Sequence, residues 1–185
     1  MPKMTGAQYM AETLKGYGVT HVFFVPSILG KALVEMERLN ISRVVTHGEK
    51  AAAYMADGYA RASHRPGVCM AQSVGAANLA AGLQDAYLGL SPVVAITGHR
   101  PLLHKYRHSY QEIEHAPLFD PVTKFNATVD RVEQLPLLLR QAFREATSGA
   151  PGPVHLDLQG IGGEVVIEAE ADLELIIEEQ FSRYP

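Results

Sequence analysis

Residues 42–98 read SRVVTHGEKAAAYMADGYARASHRPGVCMAQSVGAANLAAGLQDAYLGLSPVVAITG. Three β-branched or apolar runs, Ser42–Thr46, Val68–Ala71 and Val93–Thr97, are separated by two alanine- and leucine-rich stretches of helical length, Ala51–Ala62 and Ala76–Leu88. Short apolar strands joined through helices predict an α/β fold with an open, mostly parallel sheet and helices on both faces, because a strand–helix–strand crossover returns the chain to the same direction. The pattern extends both ways. Upstream, Thr5 is a cap for a first helix ending at Gly16-Tyr17-Gly18, His21–Val25 is a strand stopped by Pro26 and Ser27, and Leu29–Leu39 is a helix. Downstream, His99–Pro121 is a long polar loop, followed by a strand at Lys124–Val129, a helix at Val132–Thr147 and a last strand at Val154–Leu158.

The chain has 185 residues, of which 47% are hydrophobic and 19% charged, ordinary for one folded domain and unlike a disordered or fibrous chain. A net charge of −4 offers no basic surplus for nucleic acid. No apolar run approaches the roughly 20 residues that span a bilayer, and Met1-Pro2-Lys3 opens no signal peptide. The single cysteine, Cys69, excludes a disulfide framework and suits a reducing, cytoplasmic setting. From Glu164 onward the composition changes: seven acids stand against Arg183 alone, whereas residues 1–163 carry 15 bases and 13 acids. The shift follows the glycine cluster at 160–163, so a domain over 1–163 and an acidic linker or tail over 164–185 are expected.

In an open parallel sheet the ligand belongs at the carboxyl ends of the strands. Those turns hold Pro26-Ser27, His47-Gly48-Glu49, Gln72-Ser73-Val74-Gly75 and Gly98-His99. Glu49 has two readings. It is either an acid in the first turn of a helix, favoured there by the helix dipole, or a carboxylate in a cleft whose raised pKa lets it exchange a proton with a ligand nitrogen. Gly58, inside the same helix, costs about 1 kcal/mol against alanine and predicts close packing.

The segment His47–Arg61 (HGEKAAAYMADGYAR) resembles the thiamine-diphosphate-dependent enzymes, specifically the amino-terminal, pyrimidine-binding domain of the acetolactate synthase-like branch. The likeness runs nearly end to end, through Gly18–Pro26 (GVTHVFFVP), Arg65–Cys69 (RPGVC), Asn78–Tyr87 (NLAAGLQDAY), Ser91–Gly98 (SPVVAITG), Tyr110–Glu112, Thr123-Lys124 and Gly149–Asp157 (GAPGPVHLD). It implies that Glu49 bonds N1′ of the cofactor's aminopyrimidine and favours the imino tautomer, whose nitrogen deprotonates thiazolium C2 for attack on a 2-oxo acid. It further implies that Pro26, Ser73 and Asn78 lie against the cofactor. Ser27, Gln72, His99, Gln111 and Lys124 are implied on the substrate side.

The departures fall where specificity is set. Acetolactate synthases have Pro-Gly-Gly where this chain has Pro26-Ser27-Ile28, and Thr-Gly-Gln where it has Thr97-Gly98-His99. Their Ser-Gly-Pro-Gly-Ala-Thr-Asn is a residue shorter here, at Ser73–Asn78. Gln72 stands where aryl-2-oxo-acid decarboxylases have histidine. Ordinary acetolactate synthesis is therefore not the expectation, and Glu49 argues against carboligases with an apolar residue at that position.

The family's Gly-Asp-Gly motif for the diphosphate and magnesium is absent from this sequence. The resemblance thus implies that this chain holds only the pyrimidine end of the cofactor, that magnesium belongs to a separate domain of another subunit or chain, and that two pyrimidine domains pair. Nothing in the sequence indicates FAD. The expected function is the first domain of a 2-oxo-acid decarboxylase or carboligase, or else the small subunit of a split decarboxylase. Two readings from other classes stand beside it. Ala71-Gln72-Ser73-Val74-Gly75 fits a serine-hydrolase elbow loosely served by Asp120 and His155, and the same fold can serve as a non-catalytic interaction module. His99, His104, His108 and His115 have irregular spacing and basic neighbours, so the expectation is a solvated loop and no metal.

Overall fold

A computed structural model of the chain describes residues 3–178. In chain order the elements are β1 (Lys3–Thr5), α1 (Gly6–Gly16), β2 (His21–Phe24), α2 (Gly30–Arg38), β3 (Ser42–Val45), α3 (Glu49–Ser63), β4 (Gly67–Gln72), α4 (Gly75–Leu88), β5 (Val93–His99), α5 (Ala116–Phe119), β6 (Phe125–Val129), α6 (Leu135–Thr147), β7 (Val154–Gln159), α7 (Glu164–Ile167) and β8 (Glu170–Asp172). Thr5 caps α1 through a reciprocal capping box with Gln8.

Six strands form a sheet in the order β3-β2-β4-β5-β7-β6, every neighbouring pair parallel. Alternate residues of each strand feed two cores. Val22, Phe24, Met70, Ile96 and Leu156 face α1, α2 and α6. Phe23, Cys69, Ala71 and Ala95 face the alanine-rich sides of α3 and α4. Placement of α2 and α6 on one face and α3 and α4 on the other is what right-handed crossovers require, since the first two carry the chain one way across the sheet and the second two carry it back.

Pairing extends β4 to Gln72 and β5 to His99, with Gln72 opposite Gly98 and His99 opposite Gln159. His99 is thus a strand residue and not the start of the polar loop. Gly58 is not closely packed: a Cβ there would meet open space. Gly82 of α4 is closely packed instead, since an added Cβ there would lie 2.6 Å from Ala53 Cβ.

The change in composition after Gly163 is not the end of the packed chain. Val166, Ile167 and Leu173 are buried in the α1–α6 core, and β8 pairs antiparallel with β1. Some of the acids have local partners: Glu170 meets Lys3 at 2.9 Å, and Glu178 meets Arg140 and Arg144. Glu179, Arg183 and the rest of the expected tail lie outside the described residues.

Candidate functional site

The sheet order reverses between β2 and β4, because the chain steps from β2 to the β3 edge and returns to the other side of β2. A crevice opens at the carboxyl ends of strands at such a point. Pro26 and Ser27 follow β2 there, Gln72 ends β4 with Ser73 next to it, and Glu49 opens α3 after the short turn that follows β3.

Glu49 is half-buried and occupies the first turn of α3, where free backbone N–H groups favour a carboxylate. Asn78, one turn into α4, donates from Nδ2 to Glu49 Oε2 at 3.1 Å. The start of α4 lies directly against the other oxygen: a Cβ at Gly75 would come within 2.6 Å of Glu49 Oε1. Two helix N-termini therefore converge on one carboxylate, and glycine at 75 leaves the space it needs. The crevice can accordingly present a fixed carboxylate to a ligand nitrogen.

Ser73 is buried, and its N–H donates to the Gly98 carbonyl at 2.7 Å. Its hydroxyl donates to the Gln111 carbonyl and has no histidine as a base. The elbow reading finds no support: His155 meets Thr97 and Asn126, Asp120 meets Asn126, and neither meets Ser73. Gln111 has a left-handed backbone, φ 60°, and its Nε2 donates to Tyr110 Oη at 2.9 Å. Its Oε1 is buried with no hydrogen-bond partner among the described residues, an orphaned acceptor suited to a ligand donor. Gln72 is half-buried, whereas Pro26, Ser27 and Asn78 are exposed.

The glycine cluster after β7 belongs to this end of the sheet. Leu29 N–H donates to the Gly162 carbonyl at 2.8 Å, and a Cβ at Gly98 would lie 2.5 Å from Gly163 N. Residues 160–163 thus pack under the turns after β2 and β5. Lys124 is not brought to the site. It precedes β6, at the amino end of the sheet, and its Nζ donates to the Glu145 and Ser148 carbonyls at 2.6 and 3.0 Å. There it closes the C-terminus of α6.

Beside the crevice lies a polar cluster that sequence reasoning missed. Thr97 and Asp157 are direct partners across β5 and β7, and His155 is opposite Asn126 of β6. His115 comes from the loop yet is buried, its Nδ1 2.8 Å from Asp157 Oδ1. His99 Nδ1 lies 3.2 Å from Asp157 Oδ2. Burial would raise the Asp157 carboxyl, but the adjacent His115 and His99 imidazoles hold it well below the usual carboxylate range. Burial alone would lower His99, and the Asp157 carboxylate outweighs it, so the imidazole is raised. Complete burial pushes His155 down to about 3. Two of the four loop histidines are therefore not solvated. The signal for this was the pair His155 and Asp157, two polar residues on the same face of an otherwise apolar strand.

Residues 4–118 match the family model described as thiamine pyrophosphate enzyme, N-terminal TPP binding domain. Among curated relatives, the probable acetolactate synthase large subunit of Methanocaldococcus jannaschii is 39% identical over 92% of this chain and 29% of its own length. The chloroplastic acetolactate synthase of Arabidopsis thaliana is 39% identical over 83% of the chain and 23% of its own length. The acetolactate synthase isozyme 1 large subunit of Escherichia coli is 34% identical over 91% of the chain and 30% of its own length. The chain thus spans less than a third of these relatives. Their likeness spans most of this chain, and the chain belongs to the thiamine pyrophosphate enzymes, as an N-terminal TPP-binding domain of the acetolactate synthase-like branch.

Proposed function

We propose that this chain is the pyrimidine-binding part of a thiamine-diphosphate-dependent 2-oxo-acid decarboxylase or carboligase. The observation that carries the reading is the Glu49 carboxylate, held by Asn78 against the glycine start of α4. When bound, thiamine diphosphate supplies a carbon nucleophile at thiazolium C2 and a sink for the electrons left by decarboxylation. The chain's part is to hold and move a proton. In this reading Glu49 hydrogen-bonds N1′ of the pyrimidine and exchanges a proton there, and the Asn78 contact fixes the carboxylate's rotation. Ser73 fastens the Gln111 segment beside the crevice, where Gln111 Oε1 can accept from the aminopyrimidine or the substrate. Gln72, Ser27 and His99 flank the same opening and are suited to meeting a small 2-oxo acid.

The diphosphate and its magnesium fall to another domain. The acidic segment past residue 173 is suited to leading toward further domains of a longer chain; a split enzyme with a separate diphosphate subunit is the alternative. Pairing of two such domains is favoured by the outer side of α3 and α4, where Ala51, Tyr54, Met55, Gly58 and Ala81 are open to solvent. Among the described residues no helix is long and apolar enough to cross a membrane, and the lone buried thiol suits the cytoplasm. The test is carbon dioxide release from pyruvate and longer 2-oxo acids by the full protein with its natural partners. The expected result is turnover that requires both thiamine diphosphate and magnesium. Turnover without the cofactor, or none with any 2-oxo acid, contradicts the reading.

A further inference from the structure

The geometry points to a second site, a buried cation site formed by His115 Nδ1, His155 Nε2 and Asp157 Oδ1 with the Thr97 hydroxyl, and we propose that it takes a divalent transition metal of the zinc class. The three histidine and aspartate atoms lie within 4.8 Å of one another. Thr97 Oγ1 is 3.0 Å from His115 Nδ1, 2.7 Å from His155 Nε2 and 2.8 Å from Asp157 Oδ1.

Hydrogen-bond accounting makes this arrangement unusual. Asn126 Nδ2 donates to the Ala116 carbonyl at 3.2 Å and to Asp120 Oδ1 at 3.0 Å, which fixes the amide so that Asn126 Oδ1 faces His155. An amide oxygen only accepts, so His155 Nδ1 carries the hydrogen of that 2.7 Å bond. His115 Nε2 likewise faces only a carbonyl, that of Ser73 at 3.0 Å, and must donate to it. With that hydrogen on its outer nitrogen, each ring turns a bare nitrogen inward when it is neutral. Two nitrogen lone pairs, a carboxylate oxygen and a hydroxyl oxygen converge in a buried space with one hydroxyl hydrogen among them.

Such a set is satisfied by a cation, metal or proton. It has the construction of a metal site, in which each ligating imidazole donates its other N–H to an outer oxygen that fixes tautomer and ring orientation. Two imidazoles, a carboxylate and a hydroxyl suit a tetrahedral ion of borderline softness. Ligands of a tetrahedral zinc stand about 3.3 Å apart, so the pairs at 2.7–3.0 Å need to open by about half an ångström while His155 closes on Asp157, the set already lying within 4.8 Å. A cavity of about 160 Å³ lies against two of these ligands, His115 and Asp157, and is lined also by Glu112 and Glu114 and by Arg100 and Lys105. The site would tie the loop bearing His115 to β5 and β7. Because His115 also holds the Ser73 carbonyl, it would fix the turn that leads into α4.

The test uses the full protein, stripped with a chelator and then reloaded with zinc or cobalt(II) before dialysis. The expected result is one equivalent of zinc per chain retained through dialysis. Cobalt should give the intense visible bands of tetrahedral nitrogen and oxygen ligation, which an all-oxygen octahedral magnesium site does not produce. Both signals should be lost in His155→Gln and in Asp157→Asn. Less than half an equivalent of retained zinc, a weak octahedral cobalt spectrum, or bands unchanged by His155→Gln would overturn the site and leave a proton on His115 as the cation. If the variants do not fold, the wild-type cobalt spectrum decides alone. None of these readouts depends on catalysis, so failure here is distinct from failure of the proposed function.

Discussion

Asn78 donates a 3.1 Å hydrogen bond to the carboxylate of Glu49 across the α3–α4 junction, and this bond sets the direction in which Glu49 faces the crevice. A hydrogen bond to a charged group contributes about 1.5–3 kcal/mol, less when it is half-exposed as here. Asn78→Ala should therefore slow C2 hydrogen–deuterium exchange of thiamine diphosphate in the assembled enzyme about tenfold. Asn78→Asp, which opposes two carboxylates, should cost more. Equal rates in all three proteins would show that the bond has no part in positioning Glu49.

Gly75→Ala separates positioning from stability. Its Cβ would lie 2.6 Å from Glu49 Oε1 but meets only the movable end of a side chain, so the fold should survive with a stability change under about 1 kcal/mol. The displaced carboxylate should lower the exchange rate by about 100-fold, the scale of an ångström's misplacement. Urea unfolding and exchange measured on the same preparation check both halves.

Truncation probes the segment after the glycine cluster. Val166, Ile167 and Leu173 are all essentially buried, and each contributes about 1.5–3 kcal/mol by leaving water. Together they approach the whole net stability of a domain. A chain ending at Gly163 should unfold at far lower urea than one ending at Glu178, and equal midpoints would mean that this segment packs without stabilising.

Cys69 lies in the centre of β4, fully buried, and burial pushes its thiol well above the ordinary range. A thiol reagent should modify it only as fast as the protein unfolds. Rapid labelling under native conditions would contradict its position in the core.

The strands and helices were legible because their signals are local. Thr5 with Gln8 forms a capping box within a single turn, and the runs at 68–71 and 93–97 are apolar enough to be central strands. Glu49 could be singled out because it opens a helix directly after a strand. The polar cluster was not legible in the same way. Thr97 and Asp157 are 60 residues apart and meet only through the β5–β7 register, while His115 reaches them from a loop whose polar composition reads as solvated. Gly58 failed in the opposite sense, since helix propensity says that a glycine needs a reason without saying which face supplies it. Lys124 sits at the far end of the sheet because a position just before a strand marks the amino end, which the motif alone did not state. The composition break after Gly163 misled because surface charge changed while the buried positions, Val166, Ile167 and Leu173, kept their spacing toward the core.

The most direct test of the account is the C2 hydrogen–deuterium exchange rate of thiamine diphosphate in the assembled enzyme carrying Glu49→Gln. Glutamine keeps the shape and the contact with Asn78 but cannot give and take a proton as a carboxylate does. Exchange should be slowed by orders of magnitude with cofactor still bound, and an unchanged rate would remove Glu49 from the chemistry.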